Sequence, residues 1–146
     1  MLSPFLLQPQ LIHGNLVAYQ NHGLLFCGEP GSGKSTISYE LIQKGGKLVA
    51  DDIVHIDNDA IGHAPKKGQQ KIEIFGIGVI TLSAAQYCPS IGISHIFFHK
   101  DSPPRLYEKQ TLKLGSKDIS YSFCNLSHFF TADYVTIFCQ QFLNQD

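Results

Sequence analysis

Arginine is nearly missing from this sequence: of its 11 basic residues only Arg105 is one, tryptophan does not occur, and methionine occurs once. Charge as a whole is scarce, at 16% of 146 residues, and almost balanced, with a net charge of −1. A chain so poor in arginine offers no basic face to a nucleic-acid backbone and no polybasic run to an anionic membrane. The same low charge leaves room for self-association. No apolar run approaches the roughly 20 residues needed to span a bilayer. The four cysteines, Cys27, Cys88, Cys124 and Cys139, include no C-x-x-C pair, so neither a zinc knuckle nor a redox dithiol is indicated. Their apolar neighbours predict buried, reduced thiols and a cytoplasmic protein. The opening MLSPFLLQPQLIHG is apolar but lacks a basic n-region and a small-residue cleavage site, and is not read as a signal peptide.

What is present suits one globular domain. Hydrophobic residues make up 43% of the chain, enough for a real core at this length. The whole of 1–146 reads as a single domain, with its core from about residue 11 to 142. Leu11 to Gln20 alternates apolar and polar residues and predicts a strand, Asn21 to Gly23 a turn, and Leu24 to Cys27 the returning strand of a hairpin. Ser35 to Lys44 places Ile37, Leu41 and Ile42 on one helical face, and Gly45 and Gly46 end it. Lys47 to Ala50 and Ile53 to Asp57 read as short strands, and Asn58 to Gln70, with Lys66 and Lys67, as a polar loop. Lys71 to Leu82 reads as strand, glycine turn, strand. Ile91 to His99, Asp118 to Phe123 and Tyr134 to Phe142 are further strands. Strand, loop, helix, strand is a βαβ unit. Only one long helix is indicated, so the expected fold is α/β with a mixed, strand-rich sheet around it.

The loop before that helix, GEPGSGKST, fits G-x-x-x-x-G-K-[ST] at Gly28, Gly33, Lys34 and Ser35. Glycines let consecutive backbone N–H groups turn inward, and the helix start adds its dipole at the same point. Candidate nucleotide-binding residues are Gly28, Glu29, Pro30, Gly31, Ser32, Gly33, Lys34, Ser35 and Thr36. Lys34 is expected on the β- and γ-phosphates and Ser35 on Mg²⁺. Asp51 and Asp52 follow the apolar strand LVA. A carboxylate there can hold Mg²⁺, and a second can take a proton from an attacking hydroxyl. Capping a turn is the plainer use of either one, and spacing does not decide which is the base. Glu73 stands between Ile72 and Ile74, on a strand face or in the site.

Taken together, these segments resemble the C-terminal catalytic domain of HPr kinase/phosphorylase. That family has a phosphate loop, then L-[IV]-A-D-D, then L-E-[IV]-R-G-[LI]-G-[IV]-[IL]. Here GEPGSGKST, LVADD and IEIFGIGVI stand in the same order, and IHG (Ile12 to Gly14) stands where the family carries [LVI]-H-G/A. The resemblance covers Leu11 to about Ile80. It implies a fold similar to the nucleotide-binding part of phosphoenolpyruvate carboxykinase, and ATP and Mg²⁺ as cofactors. The implied substrate is an HPr-like phosphocarrier protein of the sugar phosphotransferase system, phosphorylated on serine. The implied assembly is a homo-oligomer, a hexamer in full-length members. The chain is similar to short members without the additional N-terminal domain. Carried over by position, Asp51 is the base or acid on the serine, with Lys34 and His13 beside the reacting phosphate. Asp52 assists Mg²⁺ or substrate placement, and Ser35, Asp52 and Glu73 form the metal set.

Two departures touch the reverse reaction, phosphorolysis. The family arginine after the glutamate is Phe75 here, and Phe129 to Phe138 has no counterpart of the family's arginine-bearing loop. Few cations remain to hold inorganic phosphate, so weak or absent phosphorylase activity is expected. A small-molecule kinase with an arginine-rich lid is hard to build from Arg105 alone. A GTPase reading rests on Asp59 to Gly62 and Ser116 to Asp118, faint echoes of D-x-x-G and N-K-x-D. A non-catalytic ATP-binding module would have no need of the aspartate pair. His95 and His99 would share a strand face but have no third ligand nearby in sequence for zinc.

Overall fold

In the computed structural model the described residues are 6–7, 11–29, 31–64, 71–74, 76–100 and 110–126. Expectations for Pro30, Lys66, Lys67, Phe75, Arg105, Cys139 and the stretch from Phe129 to Phe142 lie outside them. The strands are β1 (Leu6–Leu7), β2 (Leu11–His13), β3 (Asn15–Tyr19), β4 (His22–Cys27), β5 (Lys47–Ala50), β6 (Ile53–Ile56) and β7 (Ile61–His63). They continue with β8 (Lys71–Ile74), β9 (Gly78–Thr81), β10 (Ser90–His99), β11 (Gln110–Leu114) and β12 (Lys117–Cys124). The α-helix among the described residues is α1, Lys34–Gln43.

The main sheet runs β1-β11-β12-β10-β4-β3-β5. β10 lies parallel to β4 and β12, while β3 is antiparallel to both β4 and β5. The expected βαβ unit is therefore present with one change: β4 and β5 run parallel on either side of β3, which is inserted between them. A second small sheet, β2-β6-β7, is joined to the first because Ser90 to Gly92 of β10 pairs with β7 before the rest of that strand pairs with β4. β8 and β9 form a separate hairpin.

Alternation along the central strands feeds two cores. Leu24 and Phe26 of β4, Val17 of β3 and Phe97 of β10 face α1, where they meet Ile37, Leu41, Ile72 and Ile74. Leu16, Leu25 and Ile96 point to the other side, against Val54 and Ile56 of β6 and Leu112 of β11. Burial on both faces explains why β4 is an uninterrupted apolar run. On α1 the buried positions are Lys34, Ile37, Ser38, Leu41 and Ile42, the i, i+3, i+4, i+7 stripe of a helix on a core. The helix closes as the glycine pair predicts: Gly45 N–H and Gly46 N–H donate to the carbonyls of Ile42 and Leu41 at 3.1 and 2.9 Å.

Three local expectations change. Leu11 to Gln20 is not one strand but two, broken at Gly14, because β2 leaves the main sheet to pair with β6. The β3–β4 turn is centred on Gln20 and Asn21, whose φ values of 50° and 67° are those of a two-residue hairpin loop. The expected polar loop from Asn58 contains β7, stabilised by pairing to β6 and β10 rather than by its own composition.

Candidate phosphate-loop and aspartate site

β4 ends at Cys27 and delivers the chain into the loop at the edge of the core. Gly31 and Gly33 have φ of 87° and 107°, and Gly33 is the N-cap of α1. Ser32 N–H donates to the Glu29 carbonyl at 3.1 Å, closing the turn. A side chain at Gly28 would strike Ser32 Oγ at 2.5 Å and His99 Cβ at 2.8 Å, so the loop closes only around a glycine there. Among the described residues, none is a hydrogen-bond partner of the buried Ser32 Oγ. Lys34 is only 7% exposed, and among the described residues no acid pairs with its ammonium. A buried cation and an orphaned hydroxyl at a helix start fit an anionic polyphosphate. Cys27 lies alongside: burial pushes its thiol up to about 12, outweighing the opposing pull of the Lys34 charge.

The aspartate pair follows β5 and meets the loop through one member. Asp51 Oδ1 accepts from the Ser35 hydroxyl at 3.1 Å and from Asn15 Nδ2 at 2.8 Å. Asp51 Oδ2 accepts from the backbone N–H of Glu73 at 3.1 Å. The expected metal set joined Ser35 to Asp52 and Glu73; the carboxylate that touches Ser35 is that of Asp51. Consecutive residues at a strand end point to opposite sides, so one of an adjacent pair faces α1. Asp52 takes a left-handed φ of 73° and its side chain is exposed. Glu73 reaches the cluster with its main chain, while its side chain is exposed. His13, exposed on β2, pairs with Ile53 next to the turn, and Gly14 N–H donates to the Asp52 carbonyl at 2.9 Å. Thr36 is half-buried in the first turn of α1.

Asn15 was not among the residues singled out from the sequence, yet it is fully buried at the centre of this cluster. Its signal was an amide opening the apolar strand NLVAY, which a reading for alternation passes over.

No three His, Cys, Asp or Glu side chains converge on one point among the described residues. Mg²⁺ needs no such set, since it binds through one or two protein oxygens plus phosphates and water. The Ser35 hydroxyl donates a hydrogen bond to Asp51, accepts one from Asn15 Nδ2 at 3.3 Å and keeps one lone pair for such an ion. An open groove of about 560 Å³, lined by Asp59, Ile61, Ile93, Lys117 and Asp118 among others, is a different place. It opens at Ile93, which pairs with Gly23 at the start of β4, whereas the phosphate loop follows the end of that strand. The Asp59 to Gly62 and Ser116 to Asp118 segments, which suggested a GTPase, belong to that far end. No helix among the described residues is long and apolar enough to cross a membrane.

A glycine-rich loop opening the helix on a mixed sheet, with a carboxylate on the loop's serine, defines the class: an α/β domain of the P-loop kinase fold. The solved structure of the Hpr(Ser) kinase/phosphatase from Coxiella burnetii matches with a TM-score of 0.77 at 22% identity, over 92% of this chain and 97% of that one. Within that class, the sequence profile of the HPr Serine kinase C-terminal domain matches residues 5–91, and the chain belongs to this family. The HPr kinase/phosphorylase of Clostridium perfringens is 42% identical over 83 residues, covering 55% of this chain and 27% of that protein. That of Mycoplasmopsis pulmonis is 37% identical over 120 residues, 75% of this chain and 37% of that protein. The chain thus spans from about a quarter to little more than a third of the length of these relatives.

Proposed function

We propose that this chain is a Mg²⁺- and ATP-dependent protein serine kinase domain whose acceptor is a serine of the phosphocarrier protein HPr. The observation that carries the reading is the 3.1 Å hydrogen bond from the Ser35 hydroxyl to Asp51 at the start of α1, in a chain of the HPr Serine kinase family. Lys34 and the loop N–H groups hold the β- and γ-phosphates of ATP. Ser35, with Asp52 and Glu73 nearby, would hold Mg²⁺, which would neutralise phosphate charge. The acceptor serine oxygen attacks the γ-phosphorus, the bond to the β–γ bridging oxygen breaks, and ADP leaves with that electron pair. The serine proton passes to Asp51, whose Oδ2 receives one hydrogen bond and keeps a lone pair. His13, exposed on β2 and paired with Ile53 beside the Asp52 turn, is the residue we assign to the reacting phosphate. Ile77 and Val79 of the β8–β9 hairpin, 68% and 61% exposed, offer apolar contact to a protein acceptor.

The test is incubation with labelled ATP, Mg²⁺ and the host's HPr proteins, followed by mapping of the label. Label on one HPr serine is expected. ATP binding without any transfer would leave an ATP-binding module, and label on a small molecule would leave a kinase of another substrate. We expect orthophosphate-driven removal of that phosphate to be at least about tenfold slower than transfer, because Phe75 supplies no charge where the family has arginine. Equal rates would overturn this part. A cytoplasmic location and assembly into a hexamer belong to the same proposal, and sedimentation tests the latter.

A further inference from the structure

An amide buried to 0% exposure opens the apolar strand β3, where the next two residues are the core side chains Leu16 and Val17. A polar group in such a place persists only with its hydrogen bonds made. All three side-chain bonds of Asn15 go to the proposed site. Nδ2 donates to Asp51 Oδ1 at 2.8 Å and to Ser35 Oγ at 3.3 Å, and Oδ1 accepts the Asp52 backbone N–H at 2.9 Å. The amide's orientation follows from its partners, since a backbone N–H can only donate and a carboxylate can only accept.

These bonds bracket the aspartate turn. Asp52 holds its left-handed φ of 73° between the Asn15 side-chain Oδ1 on its N–H and the Gly14 N–H on its carbonyl. A non-glycine residue keeps that conformation only when its surroundings hold it. Gly14, next to Asn15 in sequence, is packed tightly against β4: a side chain there would meet the Phe26 carbonyl oxygen at 2.9 Å. On the other side Asn15 touches the serine at the start of α1. One side chain thus connects the phosphate loop, the proposed proton acceptor and the turn that carries Asp52.

We infer that Asn15 is a positioning residue for phosphoryl transfer: its amide aims the Asp51 carboxylate and clamps the Asp51–Asp52 turn against the phosphate loop. The inference rests on the kinase reading above. An apolar residue would serve the core of β3 as well as Leu16 does, so what the amide adds is alignment of the site.

Two variants of the full chain test it. Asn15→Leu keeps the branched skeleton, at a larger volume, and removes all three bonds; kcat is expected to fall about 100-fold while KM for ATP changes less than about threefold. Asn15→Asp keeps the acceptor for the Asp52 N–H but sets a second carboxylate against Asp51. Transfer should be as poor at about pH 8 and recover at least tenfold relative to wild type towards about pH 5.5, once the shared proton lets the introduced carboxyl donate as the amide does. A role confined to packing would give losses that follow thermal unfolding and no such pH dependence. If Asn15→Leu does not fold, the pH profile of the isosteric variant decides. Variants with kcat within about threefold of wild type, or an Asn15→Asp loss that does not vary with pH, overturn the inference while the kinase reading stands. A wild-type chain that binds ATP but neither transfers nor hydrolyses it overturns both.

Discussion

Asp51 and Asp57 stand directly after the apolar strands β5 and β6, and each carboxylate collects three hydrogen bonds. Those of Asp57 come from its own neighbourhood: the N–H groups of Asp59 and Ile61 at 2.8 and 3.1 Å, and His63 Nε2 at 2.8 Å, two, four and six residues on. Those of Asp51 come from Ser35, Glu73 and Asn15, at sequence separations of 16, 22 and 36. The number of donors is the same, and the sources set the two apart. A carboxylate satisfied within its own hairpin stabilises the β6–β7 turn and reports nothing else. A carboxylate satisfied by β3, α1 and β8 exists only once the fold has brought three elements together, and one of its donors is the serine of the phosphate loop. Convergence from distant elements, not polarity, is what marks the second place as a site.

Exchanging each carboxylate for its amide should separate the two most sharply. Asp51→Asn is expected to lower phosphoryl transfer about 1,000-fold, through loss of the proton acceptor, with a thermal midpoint close to wild type. Asp57→Asn should leave transfer unchanged. Equal transfer by Asp51→Asn and wild type, measured with labelled ATP, would break the contrast and the assignment of the base with it. A finer cut lies within the Asp51 cluster. Glu73 contributes its backbone N–H there, so Glu73→Ala leaves the Asp51 contact in place. Its expected effect is therefore confined to the cation, an approximately tenfold higher Mg²⁺ requirement at unchanged maximal rate. A large fall in kcat at saturating Mg²⁺ would place the Glu73 carboxylate in the transfer step itself.

The phosphate loop could be read from the sequence because its form is carried by backbone and by residues fixed in spacing: Gly28, Gly33, Lys34 and Ser35 fall in one short segment between β4 and the start of α1. Helix α1, the β3–β4 hairpin and the β8–β9 hairpin were legible for the same reason, since their contacts or periods are local. The sequence also carried the strand-rich, one-helix character of the fold. What it hid is set by long-range register. Nothing near Gly14 says that β2 departs to pair with β6. Nothing in Ile61 to His63 says that β10 will pair with it. The insertion of β3 between β4 and β5 depends on pairings that no spacing records. Spacing likewise left open which of Asp51 and Asp52 meets Ser35, because that contact turns on which side of a strand end faces α1. Asn15 was missed since its three partners lie 20 to 37 residues away.

The smallest expected effect lies on the Asp57 side and carries a sign. The His63 hydrogen bond first, then those from the Ile61 and Asp59 N–H groups, hold the Asp57 carboxyl below its ordinary value of 3.8. A carboxylate depressed on folding contributes stability that is fully present above the unfolded value and is lost as pH falls towards the folded one. Wild type should therefore exceed Asp57→Asn in stability at neutral pH, and the difference should shrink as pH falls below the ordinary value of 3.8 towards the lowered folded one. Both partners are more than a third exposed, at 36% for Asp57 and 40% for His63. Screening by water thus keeps the difference under about 1 kcal/mol. Urea unfolding of the two proteins at about pH 7 and about pH 3 measures it, and added salt should reduce the neutral-pH value. A difference that persists undiminished in acid would mean that the turn depends on the shape of the Asp57 side chain and not on its charge. A difference of several kcal/mol would mean that this local cluster supports the β2-β6-β7 sheet as strongly as a buried network does, removing the distinction drawn between the two aspartates.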